Sequence, residues 1–262
     1  PYLWAAPLEH LQAAFQSMSK FQRWGGDVLY FGRFINGYEL PWHYLPVWIG
    51  LTTPLLILGL FVAGVLAIAR ALVQARFRLY RSPGELQDLV ALGLLVAPVA
   101  AVIVLGSVVY NGWRHVYFVY PALLFVAMRG LTALARAVRS SCWRWLLPTL
   151  VADALVWQAA WIVRAHPLHN VYFNVLAGQG DLRHRFELDY WGLANRQALE
   201  RILAMDDSPR LVVIPGSFTP LHYSVMLLDP EQRQRLAVPP HRGPRTADEP
   251  HYLIDNYQFW ER

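Results

Sequence analysis

The sequence holds a single cysteine, Cys142, among its 262 residues. One thiol cannot build an intramolecular disulfide framework, and it excludes a cysteine-rich metal site. Charge is scarce as well, because charged residues make up 16% of the chain and hydrophobic residues 55%. With 11 tryptophans and 13 tyrosines, the chain is too apolar and too aromatic for an ordinary soluble domain. The composition therefore indicates a membrane protein.

Several signatures of chemistry are missing from the sequence. It contains no His-Glu-x-x-His motif, no glycine-rich phosphate loop, no Gly-x-Ser-x-Gly and no internal repeat, so no metal site is specified and no nucleophile is marked. The net charge of +5 could favour nucleic acid. Most arginines, however, lie just outside apolar runs, where they act as topology signals. We therefore expect no nucleic-acid partner.

Four apolar runs predict membrane-spanning helices at about residues 47–69, 89–109, 116–134 and 145–163. Each is near the roughly 20 residues that cross the hydrocarbon core. Pro54 falls in the first turns of the first run, and Pro98 predicts a kink in the second. Arg129 lies close enough to the far end of the third run to reach the membrane surface with its side chain. The sequence therefore predicts a helix bundle that crosses the membrane four times.

The arginines assign a side to each connection. Residues 70–81 and 136–144 are rich in arginine, whereas the tip between the second and third runs, residues 111–115, holds only Arg114. The positive-inside rule then puts the two basic connections in the cytoplasm. The N-terminal segment, the tip and everything after residue 164 face outward. We expect an integral protein of a bacterial inner (plasma) membrane, with both termini of this chain outside the cytoplasm.

The N-terminal segment, residues 1–46, is predicted to lie at the outer membrane surface. Leu8, Leu11, Phe15 and Met18 recur at helical spacing and predict a short amphipathic helix, which suits either the membrane interface or the core of a soluble protein. Next to membrane spans we favour the interface. Residues 30–46 are rich in glycine, proline and aromatic residues, which predicts an irregular segment in the headgroup layer.

The tail, residues 166–262, has ordinary polarity and follows the four-helix domain of residues 47–165. Residues 193–205 predict a helix, residues 211–214 and 252–254 predict strands, and residues 239–250 predict a loop. We therefore predict a mainly α fold. It consists of a polytopic membrane helix bundle, an interfacial helix and a small C-terminal α/β domain outside the cytoplasm.

A few charged side chains are candidates for function. Arg114 offers a planar fork of donors suited to phosphate oxygens, so it could hold a lipid-linked substrate or simply touch lipid headgroups. His115 could donate a second hydrogen bond or cap the next helix. Asp153, the acidic residue deep within a predicted span, suits a functional site or a hydrogen bond inside the bundle. Glu187 and Asp189 suggest an ordered contact, or an acidic lead-in to a helix N-terminus.

Four short motifs, taken in their order along the chain, also carry a resemblance to a known family. The resemblance covers the chain from about residue 8 to residue 195. The motifs are Tyr30-Phe31-Gly32; Pro41-Trp42-His43-Tyr44-Leu45-Pro46-Val47-Trp48 with Thr53-Pro54; Gly112-Trp113-Arg114-His115-Val116-Tyr117-Phe118 with Pro121; and His166-Pro167 with Asn170-Val171-Tyr172-Phe173-Asn174. The order resembles the C-terminal portion of GT-C fold glycosyltransferases, the superfamily of protein mannosyltransferases that use dolichyl- or polyprenyl-phosphate sugars.

The resemblance implies an integral-membrane hexosyltransferase that moves a sugar from a polyprenyl-phosphate donor to an acceptor on the periplasmic or lumenal side. Arg114 and His115 would bind the donor phosphate, and Trp42, His43 and Tyr44 would line the cavity. Membrane lipid and the lipid-linked donor would be the partners. The cofactor stays open, with a divalent cation as the candidate.

The catalytic residue of that superfamily is an acid in the first outer loop, and no residue of this sequence matches it. The catalytic residue of this chain is therefore unknown. We expect the chain to be a fragment and the missing N-terminal part of the same protein to be a further partner. Two other classes remain open, namely a segment of a transporter or flippase and a non-catalytic membrane-anchored module.

Overall fold

The computed structural model describes residues 2–19, 25–137, 145–217, 219–239 and 251–256. The chain forms two compact units. The first comprises Pro1–Gly26, Asn36–Val163 and Phe173–Gly178, and the second comprises Asp27–Ile35, Arg164–Tyr172 and Gln179–Arg262. Residues 27–35, which precede the membrane-spanning helices in sequence, thus belong to the same unit as most of the tail.

The structure is mainly helical. Its α-helices are α1 Tyr2–Ala5, α2 Pro7–Ser19, α3 Tyr44–Thr52, α4 Leu55–Gln74, α5 Pro83–Val104, α6 Tyr120–Ala137, α7 Leu146–Ala165, α8 Asn195–Met205, α9 Leu221–Val225 and α10 Pro230–Gln234. Its strands are β1 Asp27–Tyr30, β2 Arg33–Asn36, β3 Leu211–Pro215, β4 Leu236–Ala237 and β5 His251–Ile254. Short 3-10 helices occupy Arg114–Val119, His169–Val171, Val175–Ala177 and Leu182–His184.

Four helical stretches of the described chain are long and apolar enough to cross a membrane: α4, α5, the 3-10 turn at Arg114 continued by α6, and α7. This confirms the predicted number of spans by length and composition. The fourth span lies where it was predicted. The predicted bounds of the first two were wrong, and in each case a local backbone feature explains the difference.

The first span was predicted as one helix over residues 47–69, but the helix is interrupted at Thr53 and Pro54. Pro54 has no N–H to donate, and it disfavours helical geometry in the residue before it. Thr53 accordingly adopts an extended conformation, with φ −96° and ψ 136°. The short helix α3 therefore ends before the break, and α4 begins after it and continues to Gln74.

The second span was predicted over residues 89–109, yet α5 begins six residues earlier and ends five residues earlier. At its start, the backbone N–H of Glu85 donates to Ser82 Oγ at 3.3 Å, and Pro83 occupies the first turn. A serine cap followed by proline is a strong helix start. At the other end, Gly106 has a φ of +59°. A right-handed helix cannot continue through a residue with positive φ, so α5 ends before it. Caps therefore set the bounds of α5 more than the apolar run does.

Helices α4 and α6 cross with their backbones in close contact. Gly64 of α4 and Gly130 of α6 are both buried at this crossing. A Cβ atom on Gly64 would overlap the carbonyl oxygen of Val126, and one on Gly130 would overlap that of Leu60. Small residues that allow close backbone approach are a common basis of helix association in membranes. By contrast, α7, all of which the structure describes, has no buried residue.

In the second unit, β3 is the middle strand of a parallel sheet with the order β4-β3-β5. Leu211 and Val213 of β3 are fully buried and form a core cluster with Leu199 and Leu203 of α8 and with Leu221. The helix and strands predicted at residues 193–205, 211–214 and 252–254 are present as α8, β3 and β5. Of the predicted loop, residues 240–250 lie outside the described residues.

The prediction of an irregular segment over residues 30–46 was wrong at its start. Strands β1 and β2 form a two-stranded sheet joined by Phe31 and Gly32. Both of these residues have positive φ, at 50° and 78°, as a tight two-residue hairpin turn requires. The three apolar residues that end β1 are buried, so the strand is held by packing as well as by its turn.

Near the N-terminus, α2 covers the segment that was predicted as an amphipathic helix. Leu8, Leu11 and Phe15 are all largely exposed. Met18 lies outside the residues whose side chains are described. The apolar stripe of α2 thus faces away from protein, and its place in a membrane interface stays a prediction.

Candidate functional site

The tip, residues 111–115, begins with a tight backbone turn. Asn111 and Gly112 both have positive φ, at 54° and 72°. A Cβ on Gly112 would sit 3.4 Å from a ring carbon of Trp48, which is ordinary contact, so it is the positive φ of the turn that favours glycine here. The buried N–H of Gly112 donates to the hydroxyl of Tyr44 at 3.1 Å. The turn is therefore fixed against α3.

Trp113 makes the second attachment of the tip. Its indole Nε1 donates to Thr52 Oγ1 at 2.8 Å, and the Thr52 hydroxyl in turn donates to the carbonyl oxygen of Trp48 at 2.7 Å. The ring of Trp113 also packs against those of Tyr117 and Tyr120, with centroids 4.6 and 5.8 Å away. Trp113 is buried. The residue immediately before Arg114 is thus immobilised by a hydrogen bond and by aromatic packing.

Arg114 and His115 lie against one aromatic ring. The guanidinium carbon of Arg114 is 4.8 Å from the centre of the Tyr110 ring, and the His115 ring is 4.7 Å from the same ring. Arg114 is partly buried and His115 is exposed. A guanidinium packs with its flat face on aromatic rings and is a good donor group for an oxyanion, and an adjacent imidazole can add a second donor. The arrangement suits an anionic group such as a phosphate.

Asn174, far along the chain, makes hydrogen bonds to the backbone at the end of α3. Its Nδ2 donates to the carbonyl oxygens of Gly50 and Thr53, both at 2.7 Å. Its backbone N–H donates to the carbonyl oxygen of Leu51 at 2.8 Å. The carbonyls at the end of α3 lack helical partners because Pro54 interrupts the helix. Asn174 supplies the missing donors and ties the residues after α7 to the break.

Of the three predicted cavity residues, the structure brings Tyr44 to the tip. Tyr44 is 1% exposed, so its contribution is the hydrogen bond to Gly112. Trp42 is 69% exposed, and its ring lies edge to face with that of His43 at 5.6 Å. His43 directly precedes α3 and makes no side-chain cap. The predicted group therefore divides into a buried support, Tyr44, an exposed ring, Trp42, and a half-buried ring, His43.

Three of the four motifs that carry the resemblance meet in the first unit. The second motif supplies Tyr44 and Trp48, and Thr52 directly precedes its Thr53-Pro54 pair. The third motif supplies the tip. From the fourth motif, Phe173 packs on Trp48 with ring centroids 5.5 Å apart. The first motif, around Phe31, and the His166-Pro167 pair belong to the second unit. Residues more than sixty positions apart thus form one aromatic junction, which we define as Tyr44, Trp48, Thr52, Trp113, Phe173 and Asn174.

The tip lies at the opposite end of α4 from the basic connection of residues 70–81. The hydrogen bond between Trp113 and Thr52 puts the tip beside the start of α4. Helix α4 has 20 residues, so it extends about 30 Å and carries Arg70 to the far end. Arg114 is therefore separated along the helix axis from the arginines that follow Arg70.

Two residues near the tip were missed as site residues. Tyr110 directly follows the predicted second span and was given no role, although its ring contacts both Arg114 and His115. Thr52, at the end of α3, was read as part of the first predicted span. The available signal was position, because both residues stand beside helix breaks, next to Asn111 and to Thr53-Pro54 respectively.

The other acidic candidates have structural roles or exposed positions. Asp153 is exposed on α7. Asp189 accepts hydrogen bonds from the backbone N–H groups of Leu193 and Ala194, at 2.9 and 2.8 Å, which is the predicted acidic lead-in to α8. Glu187 is buried. Within the described ranges, no three His, Cys, Asp or Glu side chains are grouped so that they could hold a metal ion.

Comparison with known proteins does not assign this chain to a family. No protein-family model matches the chain, and no match was found among curated proteins or solved structures.

Proposed function

We propose that this chain is the C-terminal portion of an integral-membrane glycosyltransferase that uses a polyprenyl-phosphate sugar, with Arg114 and His115 binding the donor phosphate. The observation that carries the proposal is the junction of Tyr44, Trp48, Thr52, Trp113, Phe173 and Asn174. Motifs from three distant parts of the sequence meet there, and they hold the two residues that precede Arg114, Gly112 and Trp113. A rigidly mounted arginine beside a membrane suits the recognition of a lipid phosphate.

In this proposal the guanidinium of Arg114 binds the non-bridging oxygens of the donor phosphate and stabilises the charge that develops as the sugar leaves. His115 donates a hydrogen bond to the same group. The base that removes the acceptor's proton is a carboxylate outside this sequence. The exposed ring of Trp42 and the half-buried ring of His43 contribute to the wall of the cavity.

The remaining features extend the same proposal. The tip end of the spans faces the periplasm or lumen, since the arginine-rich residues 70–81 follow the other end of α4. The amphipathic helix α2 rests in the outer membrane interface with its exposed apolar stripe. The sheet β4-β3-β5 and helix α8 form a small α/β domain outside the cytoplasm. We assign the protein to a bacterial inner membrane.

The experiment compares donor kinetics in the full-length protein, reconstituted in lipid nanodiscs with a polyprenyl-phosphate hexose. Arg114→Ala should raise the KM for the donor by roughly 10- to 100-fold, the equivalent of one charge-assisted hydrogen-bonding group. Arg114→Lys should recover part of the loss, because lysine keeps the charge but not the fork. Arg70→Ala, an exposed arginine at the opposite end of α4, is the matched control and should leave the KM unchanged.

A second variant tests the mounting of the arginine. Tyr44→Phe removes the acceptor of the Gly112 N–H and leaves the ring, so it should raise the donor KM less than Arg114→Ala does. Tyr117→Phe removes a hydroxyl from an exposed ring near the tip and should have no effect. If Arg114→Ala leaves donor binding intact in a folded protein, the phosphate site is somewhere else and the proposal fails.

A further inference from the structure

The second unit contains an open cleft of about 590 Å³ between the start of α8 and α9. Its volume is within the range of about 300–1,000 Å³ that is usual for small-molecule sites. The cleft takes no part in the proposed transferase site, because every residue that lines it belongs to the second unit. We propose that this cleft is a binding site for a neutral carbohydrate.

Two aromatic side chains stand in the lining of the cleft. Trp191 is 58% exposed and Tyr223 is 63% exposed. A sugar ring has a face of C–H bonds that packs on an aromatic ring, whose π face carries partial negative charge. Large aromatic rings that remain exposed beside polar groups are well suited to this kind of contact. The remaining apolar lining consists of prolines and leucines.

The segment that carries Trp191 is held in place before any ligand arrives. The carboxylate of Asp189 accepts from two backbone N–H groups of the following turn, as described above. The Asn256 side chain donates to the carbonyl oxygen of Asp189 at 2.9 Å, and its backbone N–H donates to Ser217 Oγ at 3.0 Å. A fixed backbone lowers the entropy lost when a ligand binds. The backbone that carries Trp191 is therefore already ordered before a ligand binds.

Three planar polar side chains of α8 line the same cleft: Arg196, Gln197 and Glu200. Arg196 Nε lies 2.7 Å from Glu200 Oε1, so donors and acceptors stand side by side on one helix face. Neighbouring hydroxyls of a sugar each donate and accept, and they match such a mixed edge. The pair also has no net charge. An anion would gain little from Arg196, because Glu200 opposes it, and a purely apolar ligand would leave all three polar groups unmatched.

The test uses the full chain in nanodiscs or in lauryldimethylamine oxide, because a maltoside detergent would compete with its own sugar headgroup. Maltotriose, mannotriose and galactotriose are titrated, and binding is followed by saturation-transfer NMR on the sugar C–H protons. We expect at least one trisaccharide to bind. Trp191→Ala and Tyr223→Ala should each weaken its affinity about 10-fold, and Gln197→Ala about 5-fold.

Matched controls separate this cleft from the rest of the protein. Trp157→Ala removes an exposed tryptophan of α7, and Arg201→Ala removes an exposed arginine of α8 that does not line the cleft; both should leave sugar binding unchanged. Arg114→Ala should also leave it unchanged, so the result does not depend on the proposed transferase. The proposal is overturned if none of the three sugars binds, or if binding survives in both aromatic variants. It is also overturned if a neutral Gly-Ala-Ser peptide, and no sugar, binds in a Trp191-dependent manner.

Discussion

The guanidinium Nε of Arg129 lies 2.7 Å from Oδ2 of Asp88, so a charged pair joins α6 to α5. The Asp88 side chain is 8% exposed and that of Arg129 is 27% exposed. Ionisable groups within membrane-spanning helices are costly unless they pair with one another. The pair therefore holds α5 and α6 together. It lies nearer to the end of these helices that is remote from the tip.

Removing one partner of this pair should destabilise the bundle strongly. Asp88→Asn or Arg129→Gln each leaves a buried polar or charged group without its counterpart, at a cost of about 3 kcal/mol. The free energy of unfolding in mixed micelles measures the loss. The double variant Asp88→Leu with Arg129→Leu should lose much less than the sum of the two single changes. Glu85→Gln, in an exposed pair with Arg81, is the control and should change little; additive single and double losses would rule out direct coupling.

The crossing of α4 and α6 makes a second prediction. Gly64→Ala and Gly130→Ala each insert a methyl group into the backbone of the facing helix, so each should destabilise the protein by about 2–3 kcal/mol, as overpacking does. Gly59→Ala lies on α4 with open space around its new methyl group. It should be neutral, or stabilising by up to about 1 kcal/mol, through helix propensity alone. Thermal unfolding in one detergent compares the three variants, and equal effects at Gly59 and Gly64 would contradict the close crossing.

The Asn174 side chain should be required for the break between α3 and α4. Asn174→Ala leaves the carbonyl oxygens of Gly50 and Thr53 without these donors, which should cost about 2–3 kcal/mol of unfolding free energy. Asn170→Ala is a control from the same motif, because its side chain makes only a long hydrogen bond to Asp189, at 3.3 Å, and it should cost far less. Asn174→Asp, which cannot donate, should resemble the alanine variant; full stability of that variant would show that the donors are dispensable.

The carboxylate of Asp206 predicts a pH dependence in the second unit. Hydrogen bonds from Ser208, and then from the Tyr252 hydroxyl at 2.8 Å, hold the pKa of Asp206 below its ordinary value. The unfolded state therefore binds a proton at higher pH than the folded state does. The stabilisation is complete above the ordinary value of about 4 and is lost as the pH falls through the folded-state pKa.

Thermal unfolding of the full chain between pH 6 and pH 3 measures this dependence. The wild-type midpoint should fall more steeply below about pH 4 than the midpoint of Asp206→Asn, which has no carboxylate to protonate. Tyr252→Phe removes one of the hydrogen bonds to Asp206, so its slope should lie between those of wild type and Asp206→Asn. Asp207→Asn changes an exposed neighbour and should keep the wild-type slope. Identical slopes for wild type and Asp206→Asn would show that this group does not couple folding to pH.

How far the sequence predicts the structure differs from one element to the next. The spans were found because long uncharged runs carry a strong signal that depends on one segment at a time. Helix α8 and strands β3 and β5 were found for the same reason, since their periodicity is local. The ends of α5 were not, because a serine cap and a glycine with positive φ set them. The β1–β2 hairpin was missed because glycine and aromatic residues suggested an irregular chain.

Pairings between distant residues were beyond the sequence signal. Asp88 stood just outside the predicted start of its span, so Arg129 was assigned to the membrane surface instead of to a partner. The hydrogen bond between Trp113 and Thr52, and those made by Asn174, join residues whose proximity depends on how three helices pack. Arg114 could be selected from its position against the charge bias, whereas Tyr110, the ring that holds it, could not.

The reach of Asn174 also fixes an order of events during biosynthesis. Gly50 and Thr53 leave the ribosome more than 120 residues ahead of Asn174, so the end of α3 acquires these donors only after the whole of α7 has been made. The junction that supports Arg114 is therefore completed only when residues 173 and 174 have been made. A nascent chain halted before residue 174 would hold all four spans and still lack a finished junction.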